Sequence, residues 1–412
     1  MRTWFTLGLI GLSAWLPAIA AETPADLPQR TQIIAAIDSD PAVVQARRSL
    51  QAAVHAAAML EASPNEWVAS TTLQRRRVDG EGTSGEWSAG LDRAIRINGK
   101  ASLDKDLGNS EVQLAEAQLG AARVVAAHSI LDLWLNRAAS AQSKRLLEEQ
   151  LQSAQANVNA VETRRLAGDA TLIDVSVARG DLAEVRRQLS LAIATETRNA
   201  TTLRVRYPAL PAEPGALADP LPLEGNEGQW LTRVIATSKQ FRAARESLRL
   251  AELTAARAGA NRVPDPTIGV FTASESFRNE RLMGVRISIP LSGTYRREAE
   301  LEALQRAEAA RASVDRERTD VEVRVAVLVA DVSSSMDRWR LAEQSAADAR
   351  ESARLTQRAY SLGESDLQTV LLARRQSLEA ANAAVSSRTD AIRARYELLI
   401  DAHQLWELDT SD

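Results

Sequence analysis

Residues 90–99 (GLDRAIRING) and residues 284–293 (GVRISIPLSG) mark the same point in two halves of one chain. Each segment has a strand-like alternation, ends in glycine and leads into a long stretch without proline. The two segments begin 194 positions apart, and a repeat of that length is the signature of a duplicated architecture. We therefore expect each half of the 412-residue chain to contain the same elements in the same order.

Three further pairs of landmarks recur in the same order in both halves. They are residues 46–50 (ARRSL) with residues 244–248 (ARESL), Pro64 with Pro264, and the helical stretches around Gly168 and Gly363. Between the halves, residues 207–228 hold five prolines and little periodicity, which is typical of a linker. The sequence thus predicts a first repeat over residues 22–206 and a second repeat over residues 229–412.

The periodicity predicts one succession of elements, written twice. In the first half it predicts a helix over residues 31–61, a hairpin over 67–97, a long helix over 100–167, a tip at Gly168 and a helix over 172–206. In the second half it predicts a helix over residues 230–262, a hairpin over 267–289, a long helix over 294–362, a tip at Gly363 and a helix over 367–406. Each long helix would span about 100 Å, as would the two shorter helices of a half placed end to end. Helices this long and rich in alanine need neighbours, so we expect them to pack side by side as a coiled coil.

The composition excludes several classes of protein. Only 4% of the chain is aromatic although 45% is hydrophobic, which favours long helices rich in alanine and leucine over a compact globular core. The formal charge of -4 provides no basic field that would recruit nucleic acid. The lack of cysteine excludes disulfides, thiolate metal sites and a lipid anchor on an N-terminal cysteine.

No motif predicts catalysis, a cofactor or a metal site. None of His55, His128 and His403 has a second histidine three or four residues away. The sequence contains no phosphate-binding loop, nucleophile elbow or dinucleotide fingerprint. We therefore expect neither enzymatic activity nor a bound cofactor.

The first 21 residues are predicted to be a signal peptide. Arg2 precedes an apolar run over residues 7–16, and Ala18 and Ala20 form a small-residue cleavage site. The apolar run is too short to cross about 30 Å of hydrocarbon as a helix. We therefore expect the mature protein to be exported.

Both predicted hairpins alternate as lipid-facing strands do. In the first hairpin Trp87, Ala89 and Leu91 share one face, and Glu86 and Ser88 lie on the other. The second hairpin repeats this pattern with Met283, Val285, Ile287 and Ile289 on its apolar face. The alternative is a pair of hairpins that each cover a soluble core.

Aromatic residues extend the membrane interpretation. We expect Trp67 and Tyr295 near one membrane interface, and Trp87 and Phe277 near the other, as in an aromatic girdle. Four strands cannot close a barrel alone, because single-chain barrels have at least about eight strands and free edges are not tolerated in lipid. Several chains would therefore share one barrel, continued by their helices as a conduit. A periplasmic adaptor and a secreted coiled-coil structural protein remain as alternatives from other classes.

The residues at the two tips resemble the TolC family of outer-membrane efflux channels. Residues 359–363 (AYSLG), followed by Val370 and Ala373, are similar to the second helix–turn–helix of that family. Gly168, followed by residues 174–179 (DVSVAR), resembles the first. The resemblance covers essentially the whole mature chain.

The resemblance implies a homotrimer in the outer membrane of a Gram-negative bacterium. Three chains would form a 12-stranded barrel and a 12-helix periplasmic tunnel that ends near Gly168 and Gly363. The implied partners are outer-membrane lipid, a periplasmic adaptor and an inner-membrane pump, for which the channel would be a passive exit duct. Type I protein secretion is the alternative use of the same architecture.

One short segment resembles a particular branch of the family. Residues 96–100 (RINGK) are similar to the L-G-G-K stretch after the first hairpin of the heavy-metal, CzcC-like branch, with Asn98 in place of the first glycine. This resemblance implies heavy-metal cations as the exported substrate.

The second tip departs from the family at two positions. Some members carry aspartates six and nine residues after the second tip glycine, where this chain has Thr369 and Leu372. An acidic ring would then come from other residues near the tips. The candidates are Asp169, Asp174, Glu364 and Asp366.

Two interpretations of these carboxylates are open. A carboxylate ring at an aperture would favour cations, whereas first-turn carboxylates would complement helix dipoles. Asp174 matches a family position that holds the closed tip through contacts between helices, and Tyr360 belongs to the same aperture. We therefore expect Asp174 to have the strongest functional role of the four.

Overall fold

The computed structural model describes residue 24, residues 26–406 and residue 408, apart from the side chains of Val78 and Phe277. The predicted signal peptide, residues 1–21, lies outside this described part. The expected fold class, mainly helical with a small antiparallel sheet, is confirmed.

The two halves contain the same succession of elements. The first half has α1 (Arg30–Ser39), α2 (Pro41–Ala62), β1 (Val68–Val78), β2 (Gly82–Ala94), α3 (Lys100–Leu166) and α4 (Leu172–Arg206). The second half has α5 (Glu227–Thr237), α6 (Lys239–Ala260), β3 (Thr267–Glu275), β4 (Glu280–Ser288), α7 (Thr294–Leu362) and α8 (Leu367–Asp401). A single 3-10 turn over Ser276–Arg278 connects β3 and β4.

The first helical segment of each half is interrupted, where the sequence predicted one continuous helix. In the first half the Asp40 carboxylate accepts a hydrogen bond of 2.9 Å from the Ala42 N–H, and Pro41 begins α2. Proline fits the first position of a helix but cannot continue the preceding one. In the second half the Ser238 hydroxyl accepts from the Phe241 N–H at 3.2 Å and begins α6.

The last helix ends at Asp401, before the predicted end at residue 406. The chain turns at His403, which has a φ of 53°, and returns Trp406 and Leu408 to the core. Burying a large apolar side chain contributes roughly 1.5–3 kcal/mol. Burial of Trp406 and Leu408 therefore favours the turn at His403 over a longer helix.

The four strands form one antiparallel sheet in the order β1–β2–β3–β4. Strands β2 and β3 join the two hairpins, with Gly90 opposite Phe271 and Asp92 opposite Gly269. A Cβ atom at position 269 would lie 1.8 Å from the Asp92 carboxylate, so any residue other than glycine would force that side chain to move. Within the described chain, β1 and β4 are therefore the unpaired edges of the sheet.

The long helix α3 lies at the centre of the helical part. It packs against α2 and α6 towards the sheet, and against α4 and α8 towards the tips. Helix α7 packs against α5, α6 and α8. The main core lies midway along α3, where Ile130, Leu131 and Trp134 meet Tyr207 and Tyr396. Over the part of the chain that the structure describes, no helix combines the length and the apolar character needed to cross a bilayer.

A buried ionic cluster joins the sheet to the helices. The Lys100 side chain is 1% exposed and pairs with Asp265 at 2.8 Å. Asp104 is paired with Arg96 at 2.8 Å and with Arg257 at 2.5 Å. These contacts tie the start of α3 to the end of α6 and to the entry of β3, and so to the other half of the chain.

The residues just before Lys100 adopt a left-handed backbone. Asn98 and Gly99 have φ values of 57° and 71°. Glycine favours this region and asparagine is several-fold enriched there among the other residues. Asn98 therefore fits a position where the resembling branch has glycine.

Candidate functional site

The first tip connects α3 to α4 through a glycine turn. Gly168 has a φ of 87°, which lets the Asp169 N–H donate to the Arg164 carbonyl at 2.8 Å and the Gly168 N–H donate to the Arg165 carbonyl at 3.0 Å. This pattern satisfies the last carbonyls of α3. A Cβ atom at position 168 would meet nothing within 4 Å, so glycine is needed there for its backbone conformation alone.

Thr171 and Asp174 form a reciprocal cap at the start of α4. The Thr171 hydroxyl accepts from the Asp174 N–H at 3.1 Å, and the Asp174 carboxylate accepts from the Thr171 N–H and hydroxyl, both at 2.8 Å. The two bonds to the carboxylate hold the pKa of Asp174 below its ordinary value, and the bond from the Thr171 backbone N–H has the largest effect. The charge of Arg164 lowers this pKa further. The carboxylate of Asp174 thus forms its hydrogen bonds within the first turn of its own helix.

The second tip repeats the turn and changes the cap. Gly363 has a φ of 81°, and the Glu364 N–H donates to the Ala359 carbonyl at 2.9 Å. The Asp366 carboxylate accepts from the Thr369 N–H at 2.8 Å and from the Thr369 hydroxyl at 3.1 Å. The same two hydrogen bonds hold the pKa of Asp366 below its ordinary value, and the bond from the Thr369 backbone has the larger effect.

The two tips therefore use the same residue types in exchanged positions. The first has threonine at 171 and aspartate at 174, and the second has aspartate at 366 and threonine at 369. This exchange explains why threonine stands at position 369, because Thr369 is the hydrogen-bond partner of the capping residue Asp366. Leu372, the other position that departs from the family, is 54% exposed.

Asp169 and Glu364 are the tip carboxylates outside these caps. Both side chains are exposed, and neither forms an ion pair with another residue of the described chain. The four aperture candidates thus divide into two helix caps, Asp174 and Asp366, and two solvated charges.

The two tips contact each other through Arg164 and Tyr360. The Arg164 guanidinium lies 5.0 Å from the centre of the Tyr360 ring, within the range of a cation–π interaction. Leu367 and Leu371 of α8 are buried against the core that α3 and α4 share. The tips therefore form one packed unit within the chain. No sequence pattern marks Arg164, because an arginine in the last helical turn has an ordinary role beside the helix dipole.

Opposite charges lie between α4 and α8 above the tips. Burial raises the pKa of Asp181, although Arg375 and Arg374 oppose the shift. Burial likewise lowers the pKa of Arg374, which donates to Gln357 of α7. No motif marks these residues, since they come together only when the helices of the two halves pack.

One face of the sheet is apolar and exposed. Leu73 lies opposite Trp87 on the neighbouring strand, Leu91 opposite Val270, and Val270 opposite Val285. Their exposed fractions run from 40% for Leu91 to 80% for Leu73. An apolar face this continuous marks a surface that meets lipid or protein.

The other face of the sheet is polar and more enclosed. Glu86 is 3% exposed and accepts a hydrogen bond from Gln74 at 2.7 Å. Asp92 pairs with Arg286 at 3.6 Å across the junction of the two hairpins. The sheet thus has the two unlike faces that its sequence alternation predicts.

The predicted interface aromatics occupy different levels of the sheet. Trp67 directly precedes β1 and Tyr295 lies in the first turn of α7, so both are at the helical end, with 60% and 85% of their surface exposed. Arg93 of β2 lies at the level of Trp67, because its guanidinium is 5.5 Å from the Trp67 ring. Trp87 lies six residues from Arg93 along β2, which corresponds to about 20 Å between the levels of the two tryptophans. Phe277 lies in the turn between β3 and β4, and its side chain is outside the described part.

The geometry also leaves no obvious place for a metal. Within residues 24, 26–406 and 408, no three histidine or carboxylate side chains are grouped so that they could hold a metal ion. The acidic residues of the tips instead serve as caps or lie in solvent.

Comparison with known proteins identifies the architecture. No curated protein sequence is significantly similar to the chain. Three solved structures share its fold: a membrane protein from Pseudomonas aeruginosa, the outer membrane protein VceC from Vibrio cholerae, and the open state of the MtrE outer membrane channel from Neisseria gonorrhoeae. Their TM-scores are 0.78, 0.74 and 0.68, at 18%, 19% and 17% identity. The alignments cover 90%, 91% and 92% of this chain and 93%, 99% and 89% of the respective structures.

The sequence of the chain also matches the model of a protein family. The model for the outer membrane efflux protein family matches residues 33–205 and 230–400, one segment in each half of the chain. The matched segments cover most of the chain and leave out the linker. The chain therefore belongs to the outer membrane efflux protein family, whose members are channels and not enzymes.

Proposed function

We propose that three copies of the chain close a 12-stranded barrel in the outer membrane of a Gram-negative bacterium. The observation that carries this proposal is the sheet, with an apolar exposed face and unpaired edges at β1 and β4. An open edge is not tolerated in lipid. Pairing β1 of one copy with β4 of the next removes every edge.

The helices support the same assembly. Helix α7 has neighbours on one side within the chain, and several large apolar side chains are exposed along it. A ring of three chains would cover them and continue the barrel as a helical tunnel in the periplasm. The tips at Gly168 and Gly363 would then form the inner aperture of the tunnel.

The duct would be one part of a tripartite efflux system. A passive tube supplies no energy, so an inner-membrane pump must drive transport, and a periplasmic adaptor must connect the pump to the tips. MtrE and VceC are described as an outer membrane channel and an outer membrane protein, which supports the same role here.

Fractionation and conductance test this function. The mature protein should sediment with outer membranes, migrate as a trimer before heating and as a monomer after it, and produce conductance steps in planar bilayers. A soluble monomer without conductance would refute the duct and favour an adaptor or a structural coiled coil.

The substrate class we propose is heavy-metal cations. The support is the RINGK segment at residues 96–100, where Asn98 fits its left-handed position, and the exposed carboxylates of Asp169 and Glu364 at the tips. A strain without the protein should become sensitive to divalent metals. A defect in protein secretion without metal sensitivity would instead support a type I secretion channel.

The charge of the aperture can be tested separately. Asp169→Asn with Glu364→Gln should lower the preference of the channel for cations, measured as a reversal potential in a salt gradient. Glu302→Gln, which removes an exposed carboxylate of α7 far from the tip, is the matched control. An unchanged reversal potential would remove these carboxylates from the aperture.

We propose in addition that Asp174 helps to hold the resting tip closed. Asp174→Ala should raise the conductance of the resting channel. Thr171→Ala disturbs the same cap but keeps the carboxylate, so it separates a role in closure from a role in capping. Equal conductance in both variants would assign Asp174 to the cap alone.

A further inference from the structure

A cavity of about 220 Å³ lies between three helices and the linker, away from the tips and the sheet. It is lined by residues 138–146 of α3, residues 343–350 of α7 and residues 381–388 of α8. On each helix the lining residues recur at spacings of three, four and seven, which places them on one face. Residues 214–217 of the linker close another side of the cavity.

Positive charge exceeds negative charge in this lining. Arg145, Arg350 and Arg388, one from each helix, are accompanied by the carboxylate of Glu343. Arg388 pairs with Asp219 at 2.9 Å and with Glu343 at 3.7 Å. Arg145 and Arg350 form no ion pair within the described chain. The guanidinium groups of Arg145 and Arg350, both exposed residues, are therefore not directly paired with Glu343, the carboxylate of the lining.

A buried donor inside this group lacks an acceptor. The Nε atom of Arg388 is buried and has no hydrogen-bond partner among the described residues. Buried polar atoms are satisfied in the great majority of cases, so water or a ligand would supply the acceptor for this donor. The Trp339 ring lies 6.0 Å from the same guanidinium and helps to hold it in place.

Apart from Gln142, the remaining lining is apolar. Half of its residues are alanines, among them Ala138, Ala141, Ala381 and Ala384. The volume is below the range of about 300–1,000 Å³ that is typical for drug-sized ligands. The cavity therefore has room for a small molecule with a short carbon skeleton, and for nothing as large as a peptide segment.

We propose that this cavity binds a small organic anion with two or more carboxylates. Arginine forks bind carboxylates with two parallel hydrogen bonds, and Arg145 and Arg350 are free to do so. The carbon skeleton of the anion would lie on the alanines, and one carboxylate would satisfy the Arg388 Nε atom. The bound anion would touch helices of both halves and the linker, and would thereby stabilise the packing of one half against the other.

Calorimetric titration of the full-length protein in detergent at low salt tests the site. Citrate serves as the polycarboxylate, acetate as the monovalent anion, and inorganic phosphate as a multivalent anion without a carbon skeleton. We expect one citrate per chain, bound at least about tenfold more tightly than acetate or phosphate, because charge-assisted hydrogen bonds to several arginines add up. Equal affinity for citrate and phosphate would overturn the assignment to carboxylates.

Variants connect the binding to the cavity. The double variant Arg145→Gln, Arg350→Gln should weaken citrate binding at least about tenfold. It removes no ion pair of the described chain, so its trimer and its conductance should match the wild type. Arg306→Gln on α7, an exposed arginine paired with Glu302, is the matched control and should bind citrate normally. Wild-type affinity in the double variant would refute the site.

Discussion

The long helices α3 and α7 are equivalent by sequence and unlike in their surroundings. They contain 67 and 69 residues, each follows a hairpin and each ends at a tip glycine. Yet 20 residues of α3 are buried and only 8 of α7. Helix α3 has neighbours on both sides along its whole length, whereas α7 has neighbours on one side. The sheet repeats this difference, since β2 and β3 are central and β1 and β4 are edges.

The difference indicates which contacts the chain lacks. In a duplicated architecture, the neighbours of α3 that have no counterpart around α7 are α6 and α8, which belong to the following half. Another copy of the chain can supply them, because its α2 and α4 would stand beside α7 as α6 and α8 stand beside α3. A single chain therefore contains both repeats, but its second repeat lacks neighbours that the first repeat has.

The strongest test of the comparison is a charge on the uncovered side of α7. Val323 is 57% exposed and lies two residues, about 200° around the helix, from the buried Val321 and Val325. In a closed ring it would face the next chain. Val323→Glu should abolish the trimer, because burying an unpaired carboxylate three times per ring costs several kcal/mol each time. Unheated electrophoresis and light scattering measure the result.

The same substitution on α3 is the matched control. Val125 is 60% exposed, but both lateral sides of α3 are already occupied within the chain. Val125→Glu should therefore leave the trimer intact. If both variants assemble, the exposed side of α7 does not meet another chain.

The junctions between sheet and helices provide the second test. Lys100→Met leaves Asp265 without its buried partner, and breaking a buried pair typically costs about 3–5 kcal/mol. Thr294 occupies the equivalent first position of α7 and is exposed. Thr294→Met should change the free energy of unfolding by no more than about 0.5 kcal/mol. Guanidinium unfolding compares the two, and equal losses would mean that the second junction is as tightly paired as the first.

The sequence predicted those features that depend on local pattern. The repeat, the hairpins and the glycine tips follow from periodicity and from single residues with special backbone conformations. The break before Pro41 was also marked, because an Asp-Pro pair is a recognised helix start, but the surrounding helical pattern concealed it. The break at Ser238 has a weaker signal, since serine is common within helices as well as before them.

Contacts between distant residues could not be predicted. Lys100 and Asp265 are 165 positions apart, and neither residue type suggests the other. The same holds for the Arg164–Tyr360 contact between the tips and for the arginines around the linker cavity. Such pairs exist only after the two halves pack, so their physical cause is tertiary.

A third test concerns the tips, where the two halves should behave alike. Gly168→Val and Gly363→Val force a left-handed backbone on a branched residue, at a cost of about 1–2 kcal/mol each. Because a Cβ atom would meet nothing at either position, the cost should be equal in both tips. Local hydrogen exchange at the tips should become roughly 5–30-fold faster. Gly180→Ala, inside α4 with open space around it, should instead slow exchange, and unequal effects at the two tips would reveal a contact at one of them.

The smallest effect we expect is a difference in acid sensitivity between the two caps. Hydrogen bonds lower the pKa values of Asp174 and Asp366, so each carboxylate stabilises its helix above the ordinary aspartate pKa of about 4 and loses that effect as the pH falls through the lowered value. Protonation weakens the Asp366 carboxyl as the acceptor of the Thr369 N–H in α8, whereas in α4 the Thr171 hydroxyl accepts from the Asp174 N–H with unchanged strength.

The first turn of α8 should therefore lose protection before that of α4 when the pH falls from 6 to 3. Hydrogen-exchange mass spectrometry, corrected for intrinsic exchange rates, measures both turns in one sample. Asp366→Asn should remove the pH dependence in α8 and leave that of α4 unchanged. If α4 opens first, the exchange of threonine and aspartate between the tips has no energetic consequence, and the carboxylate of Asp174 is more than a cap.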